Sequence, residues 1–157
     1  MMSNDITMPL EQMWRAKKMS GLRAVLIENK MTFLTLPYAL DTFSIWSRGF
    51  GVRELQQIDW LSSCSLFYWG DLDAHGFQIL SALRSHFPSV IAFLMDDATF
   101  ERYKIYCVDG TPIIKPSLLP NLTPQESDLY MYLAKNNLRL EQERIPHSEV
   151  VATFKKM

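Results

Sequence analysis

Apolar residues run unbroken from Ala24 to Ile27 and stop at Glu28, the pattern of a short strand buried on both faces with an acid at its end. SLFYWGDLD repeats that plan: β-prone aromatic and aliphatic residues lead to Trp69, then come Gly70 and two acids, Asp71 and Asp73, one residue apart. TFSIWSRGFG supplies a further β-like run ending in Gly49 and Gly51, and VIAFLMD predicts a fourth strand that closes on Asp96. Helical patterns fall between them. Residues 9 to 19 read as a short helix ended by Ser20 and Gly21, KMTFLTLP as a helix broken by Pro37, and GVRELQQIDWL as another. In AHGFQILSALRSHF the residues Phe77, Leu80, Leu83 and Phe87 lie at spacings of three, three and four, one apolar stripe that ends before Pro88. DATFERYK predicts one or two helical turns more.

Strands that alternate with helices argue for an α/β domain with a mostly parallel sheet flanked by helices. Such sheets present functional groups at the carboxyl ends of their strands, where Glu28, Asp71, Asp73 and Asp96 all fall. From Cys107 to Pro120 the chain is rich in turn residues. Thr123, Pro124 and Glu126 then form a capping-box start for a helix through Asn136. RLEQERIP and HSEVVATFKK complete a C-terminal helical extension, the second with Val150, Val151 and Phe154 available for packing. The expected organisation is a helical lead-in over residues 1–22 and a main body with its tail over residues 23–157, one domain overall.

Composition narrows the picture. The 157 residues are 48% hydrophobic, enough for a real core, and 16 Lys and Arg against 17 Asp and Glu provide no overall drive towards nucleic acid. Contact with DNA therefore needs a local patch. Cys64 and Cys107 lack metal-ligand spacing and read as free thiols in a reducing compartment. No apolar run approaches the ~20 residues of a membrane span, and the start lacks the basic-then-apolar order of a secretory signal, so a cytoplasmic protein with no membrane partner is expected.

The strand-end acids carry the chemistry. Carboxylate-held Mg²⁺ neutralises a phosphodiester and positions its nucleophile, and hard oxygens are its natural ligands. Asp71 and Asp73 project to the same side of an extended backbone, and together with Glu28 they would form a like-charged cluster that needs a cation or a proton. Each acid also has a plain alternative: Asp73 as the N-cap of the next helix, Asp71 as a turn former beside Gly70, Glu28 as a solvated strand end.

LIENKMTFLTLP, SLFYWGDLDAHGFQILSALRSHFP, FLMDDATF and RLEQERIP, in that order, resemble the C-terminal domain of JetD, the nuclease subunit of the Wadjet plasmid-defence system. The likeness runs from about Arg23 to Ile145. It implies a Toprim-like (Rossmann-like) fold related to that of the DNA-cleaving subunit of topoisomerase VI, and a Mg²⁺-dependent DNA endonuclease domain in which Mn²⁺ can substitute. By position, the resemblance makes Glu28, Asp71 and Asp73 the catalytic and metal-binding residues and adds Asp96 as an outer metal ligand. Lys30, in the run with Asn29, is either a phosphate contact or a solvated lysine at a helix start, and His75, beside Gly76, either a phosphate or DNA contact and proton relay or a structural hydrogen-bond partner of a neighbouring carboxylate; no other cofactor is implied. Asp96 or Asp97 could equally cap the helix that follows; Glu141 and Glu143 could reach a second ion, or pair with Arg139 and Arg144 on a solvated face. The implied partners are DNA, SMC-like Wadjet subunits and a second copy of the chain. Members of the family carry an N-terminal region with DNA-binding and dimerising arms that has no counterpart here, so an excised domain or a short homologue is expected. Two other functions remain open: a non-catalytic Toprim assembly module, and a topoisomerase VI-like strand-cleaving subunit that takes its tyrosine from another domain. Tyr38 and Tyr68 are expected to be packing residues.

Overall fold

The computed structural model describes residues 10–15, 19–47 and 51–157. The helix start at Pro9 and the run end at Gly49 lie outside them. Its centre is a four-stranded parallel sheet in the order β2-β1-β3-β4, with β1 at Arg23–Ile27, β2 at Thr42–Trp46, β3 at Ser65–Trp69 and β4 at Ile91–Ala92. Ala24 to Ile27 are fully buried, as an unbroken apolar run between two covered faces requires. Ile27 pairs with both Trp46 and Trp69, so the three longer strands end level and Glu28 and Gly70 leave the sheet side by side.

One helix precedes the strands, α1 at Leu10–Arg15, and the others come between or after them: α2 at Lys30–Thr35, α3 at Val52–Leu55, α4 at Ala74–His86, α5 at Asp97–Tyr103, α6 at Pro124–Asn136 and α7 at His147–Phe154. The stripe read from sequence on α4 is buried at all four positions, Phe77, Leu80, Leu83 and Phe87. Phe77 meets Tyr130 of α6 edge to face at 6.5 Å, and Arg84 forks onto Glu126, one contact being 2.9 Å. On the sheet side of α7, Trp69 packs on Phe93 at 5.3 Å and Phe93 on Phe154 at 6.2 Å. The expected capping box of α6 is present, with Thr123 and Glu126 each serving the other's backbone amide.

Three local expectations change. The run VIAFLMD forms only two strand residues, because Leu94 turns into the left-handed region at φ 52, a conformation costing roughly 1–2 kcal/mol for a residue with a Cβ. That turn brings Met95 under the sheet edge, where its sulfur accepts from the Gly70 amide at 3.3 Å. GVRELQQIDWL divides into the short α3 and a 3-10 turn at Asp59–Ser63. RLEQERIP is not helical throughout: Leu138–Arg139 form β6, antiparallel to β5 at Val108–Asp109, and a 3-10 turn follows at Gln142–Arg144. Instead of hanging off the domain, this segment folds back onto the acidic end of the sheet. No helix among the described residues is long and apolar enough to cross a membrane.

Candidate functional site

Level strand ends bring Glu28 and the Asp71–Asp73 segment to one edge. Leu72 between the two aspartates is buried and makes an antiparallel bridge with Leu140, its amide donating to the Leu140 carbonyl at 2.9 Å and its carbonyl accepting at 3.1 Å. With Leu72 turned inward, strand alternation directs both aspartates outward together. Gly76 permits the tight start of α4 behind them, since a Cβ there would collide with the Asp71 carbonyl oxygen.

Each acid is held differently. Glu28 Oε1 accepts from the Tyr68 hydroxyl at 2.9 Å, and the Glu28 carbonyl accepts from the Trp46 indole at 2.9 Å. Burial pushes the Glu28 carboxyl above its ordinary value; the Tyr68 bond opposes this, and the charges of Asp71 and Asp73 add to it. Asp73 caps α4 by accepting from the Gly76 amide at 2.7 Å, and it is 7% exposed. Burial raises its carboxyl too, against the lowering pull of the Gly76 amide. Asp71 is engaged through both oxygens, Oδ1 by the Gln142 amide at 2.9 Å and Oδ2 by Arg139 Nε at 2.9 Å and a terminal guanidinium nitrogen at 2.7 Å.

Arg139 and Gln142, which sequence reasoning did not place at this site, contact its acids directly. The Arg139 guanidinium also lies 3.9 Å from Asp73 and 3.5 Å from Glu141, so one cation serves three carboxylates. Gln142 is buried, and besides its amide contact to Asp71 its side chain donates to the Trp69 carbonyl and accepts from the Asn29 amide at 3.1 Å, tying the ends of β3 and β1 together. Asn29 caps α2 through Thr32 and donates to Glu143. The one sequence signal was the Arg139–Glu141 proximity, which reads equally as a solvated pair.

The remaining expected residues are distributed around this core. Lys30 lies over the Trp46 ring at 5.2 Å and His75 is exposed on the first turn of α4. Asp96 caps α5, accepting from the Thr99 amide at 2.7 Å, and shares no hydrogen-bond partner with the other three acids among the described residues. Arg144 pairs with Glu141 at 3.4 Å. Tyr68 is packed as expected, yet its hydroxyl serves Glu28; Tyr38, expected to pack, is 76% exposed. Cys64 and Cys107 are free thiols.

A cavity of about 680 Å³ opens beside the acids, with Glu28, Asp71, Lys30 and Arg139 at its charged side and Leu26, Leu55 and Leu83 among its apolar walls. In kind the donor set fits a hard divalent cation: carboxylate oxygens only, mutually repelling, two of them in poorly hydrated positions. In arrangement it differs from a ready cage. No three His, Cys, Asp or Glu side chains among the described residues converge to hold an ion as they stand, and a guanidinium occupies the Asp71 side.

Comparison with known proteins agrees with this architecture: residues 1–154 match the family described as Wadjet protein JetD, C-terminal. The chain belongs to that family. As a JetD C-terminal domain it is part of the Wadjet defence system, and its acids, Arg139 and Gln142 all lie within the matched span. No curated protein matches it.

Proposed function

We propose that this domain is the Mg²⁺-dependent DNA endonuclease unit of a Wadjet-type anti-plasmid system, hydrolysing phosphodiesters at the Glu28, Asp71 and Asp73 edge of the sheet. The observation that carries the reading is the placement of three carboxylates from two neighbouring strand ends along one sheet edge, two of them raised by burial, in a JetD C-terminal domain. Buried like charges are costly to fold around, and acids perturbed by burial and by like charge in a cleft are candidates for a functional site. Glu28, Asp71 and Asp73 would hold Mg²⁺ or Mn²⁺, with Asp96 as an outer ligand reached only through further rearrangement. The cation supplies charge neutralisation on the phosphate and orientation of the attacking water.

The chain's own residues do the rest. Tyr68 and the Trp46 indole fix the Glu28 side chain and backbone, leaving Oε2 free of hydrogen bonds from the described residues. Lys30 and His75 flank the acids and offer an ammonium and a ring N–H donor to the DNA backbone. DNA, the SMC-like Wadjet subunits and a second copy of the chain are the partners this reading requires, because a chain of near-zero net charge carries few phosphate contacts of its own.

Plasmid cleavage by the full-length protein with its partner subunits, in Mg²⁺, tests this. Asp73→Ala should reduce the rate by at least about 100-fold, on the scale of losing a charge-stabilising group. Undiminished cleavage would sink the assignment. A second reading, a non-catalytic assembly module, is favoured by one observation: Asp71 is fully engaged by Arg139 and Gln142. In that case Mg²⁺ binds only weakly, and Asp71→Asn loosens the Arg139 contact without affecting any cleavage. A covalent tyrosyl mechanism finds less support here, since the Tyr68 hydroxyl is buried against Glu28.

A further inference from the structure

We propose that Arg139 is a displaceable placeholder for the divalent cation: it neutralises the acid cluster when no ion is bound and moves to Glu141 when an ion takes its place on Asp71. This rests on the metal-dependent reading of the site. The geometry supplies the two seats. One terminal guanidinium nitrogen stands 2.7 Å from Asp71 Oδ2 and 3.5 Å from Glu141 Oε1, so a small side-chain rotation exchanges one carboxylate for the other. Cation and guanidinium would compete for Asp71 Oδ2, because two positive groups drawn to one oxygen repel each other.

Only the side chain needs to move. The Arg139 backbone is fixed on one side by the β5–β6 pairing and on the other by the Leu72–Leu140 bridge, while Gln142 keeps its amide on Asp71 Oδ1. Glu141 shares its charge with Arg144 at 3.4 Å, a contact on an exposed face that can yield when Arg139 arrives. The device explains how a cluster of repelling acids stays folded without an ion. It also sets a threshold: an ion must compete with an internal cation, so apparent affinity falls by the fraction of molecules in which Asp71 is free.

The test uses the whole ¹⁵N-labelled chain. The Arg139 Nε–H signal is assigned by its loss in Arg139→Lys and followed during MgCl₂ titration, alongside calorimetry of wild type, Arg139→Gln and Glu141→Gln. The expected results are a Mg²⁺-dependent shift of that signal, binding about tenfold tighter in Arg139→Gln, and weaker binding in Glu141→Gln, which removes the second seat. Arg139→Lys keeps the charge but loses the fork, and should fall between wild type and Arg139→Gln; it serves the same purpose if Arg139→Gln does not fold. An unmoved Nε–H signal at saturating Mg²⁺, or equal affinity in the Arg139 variants, overturns the placeholder while leaving the metal site standing. If neither wild type nor any variant binds Mg²⁺, the metal-dependent reading falls and the placeholder with it.

Discussion

The Tyr68 hydroxyl donates to Glu28 Oε1 at 2.9 Å, so the acid that ends β1 is held by the strand beside it. Gly70 makes the contact feasible, because a Cβ there would occupy the space of the hydroxyl. Tyr68→Phe should lower stability by about 1 kcal/mol, the net worth of one hydrogen bond. Gly70→Ala should cost more, about 1–3 kcal/mol, by forcing the ring to move. Urea unfolding ranks the two variants, and the reverse order would contradict the packing described.

Gly76→Ala offers a sharper contrast. Within a helix alanine is favoured over glycine by about 1 kcal/mol, yet at this position its Cβ would strike the Asp71 carbonyl. The collision should win, and the variant should unfold at lower temperature than wild type. A rise in Tm would mean that the first turn of α4 can shift without penalty.

Asp73 and Asp96 are both N-caps, of α4 and α5. Alanine at either should cost about 1 kcal/mol of stability. Only Asp73→Ala should abolish Mg²⁺ binding, with Asp96→Ala at most weakening it; equal losses in calorimetry would promote Asp96 from outer ligand to a direct one.

Arg84 and Glu126 join α4 to α6 with little solvent access. Burial by itself would push the Glu126 carboxyl up, but the Arg84 fork and the Thr123 amide outweigh it and hold it below its ordinary value of 4.5. A depressed folded value means that the unfolded chain takes up its proton first as the pH falls. The pair's contribution is therefore complete above about pH 4.5 and is lost below it, down through the lowered folded value. Glu126→Gln should cost about 2 kcal/mol at neutral pH, between the values for exposed and buried pairs, and should flatten the acid limb of a Tm-against-pH profile. An unchanged profile would remove the pair from the acid response.

Gln142→Leu would strip partners from the Trp69 carbonyl and the Asn29 amide, at a cost of about 2 kcal/mol. Hydrogen exchange at the Leu72 and Leu140 amides should accelerate as the returning segment loosens. Protection equal to wild type would show that the bridge holds without Gln142.

Much of this frame could be read from residue pattern, because burial on both faces leaves an unmistakable run at Ala24–Ile27 and a helical stripe leaves fixed spacings at Phe77, Leu80, Leu83 and Phe87. The short β4 could not, since nothing in VIAFLMD announces that Leu94 takes a positive φ. Glu28, Asp71 and Asp73 were legible as strand-end acids. Arg139 and Gln142 were not: their partners lie 68 and 71 residues away, and local pattern carries no information about which distant segment returns to a sheet edge.

The return of residues 138–142 to the sheet also sets an order of events during synthesis. The acids of β1 and the Asp71–Asp73 segment leave the ribosome long before Arg139 and Gln142, so the nascent chain carries its charged edge unneutralised and unclosed. The acidic edge therefore acquires its neutralising guanidinium and its closing bridge only after residues 138–142 have emerged.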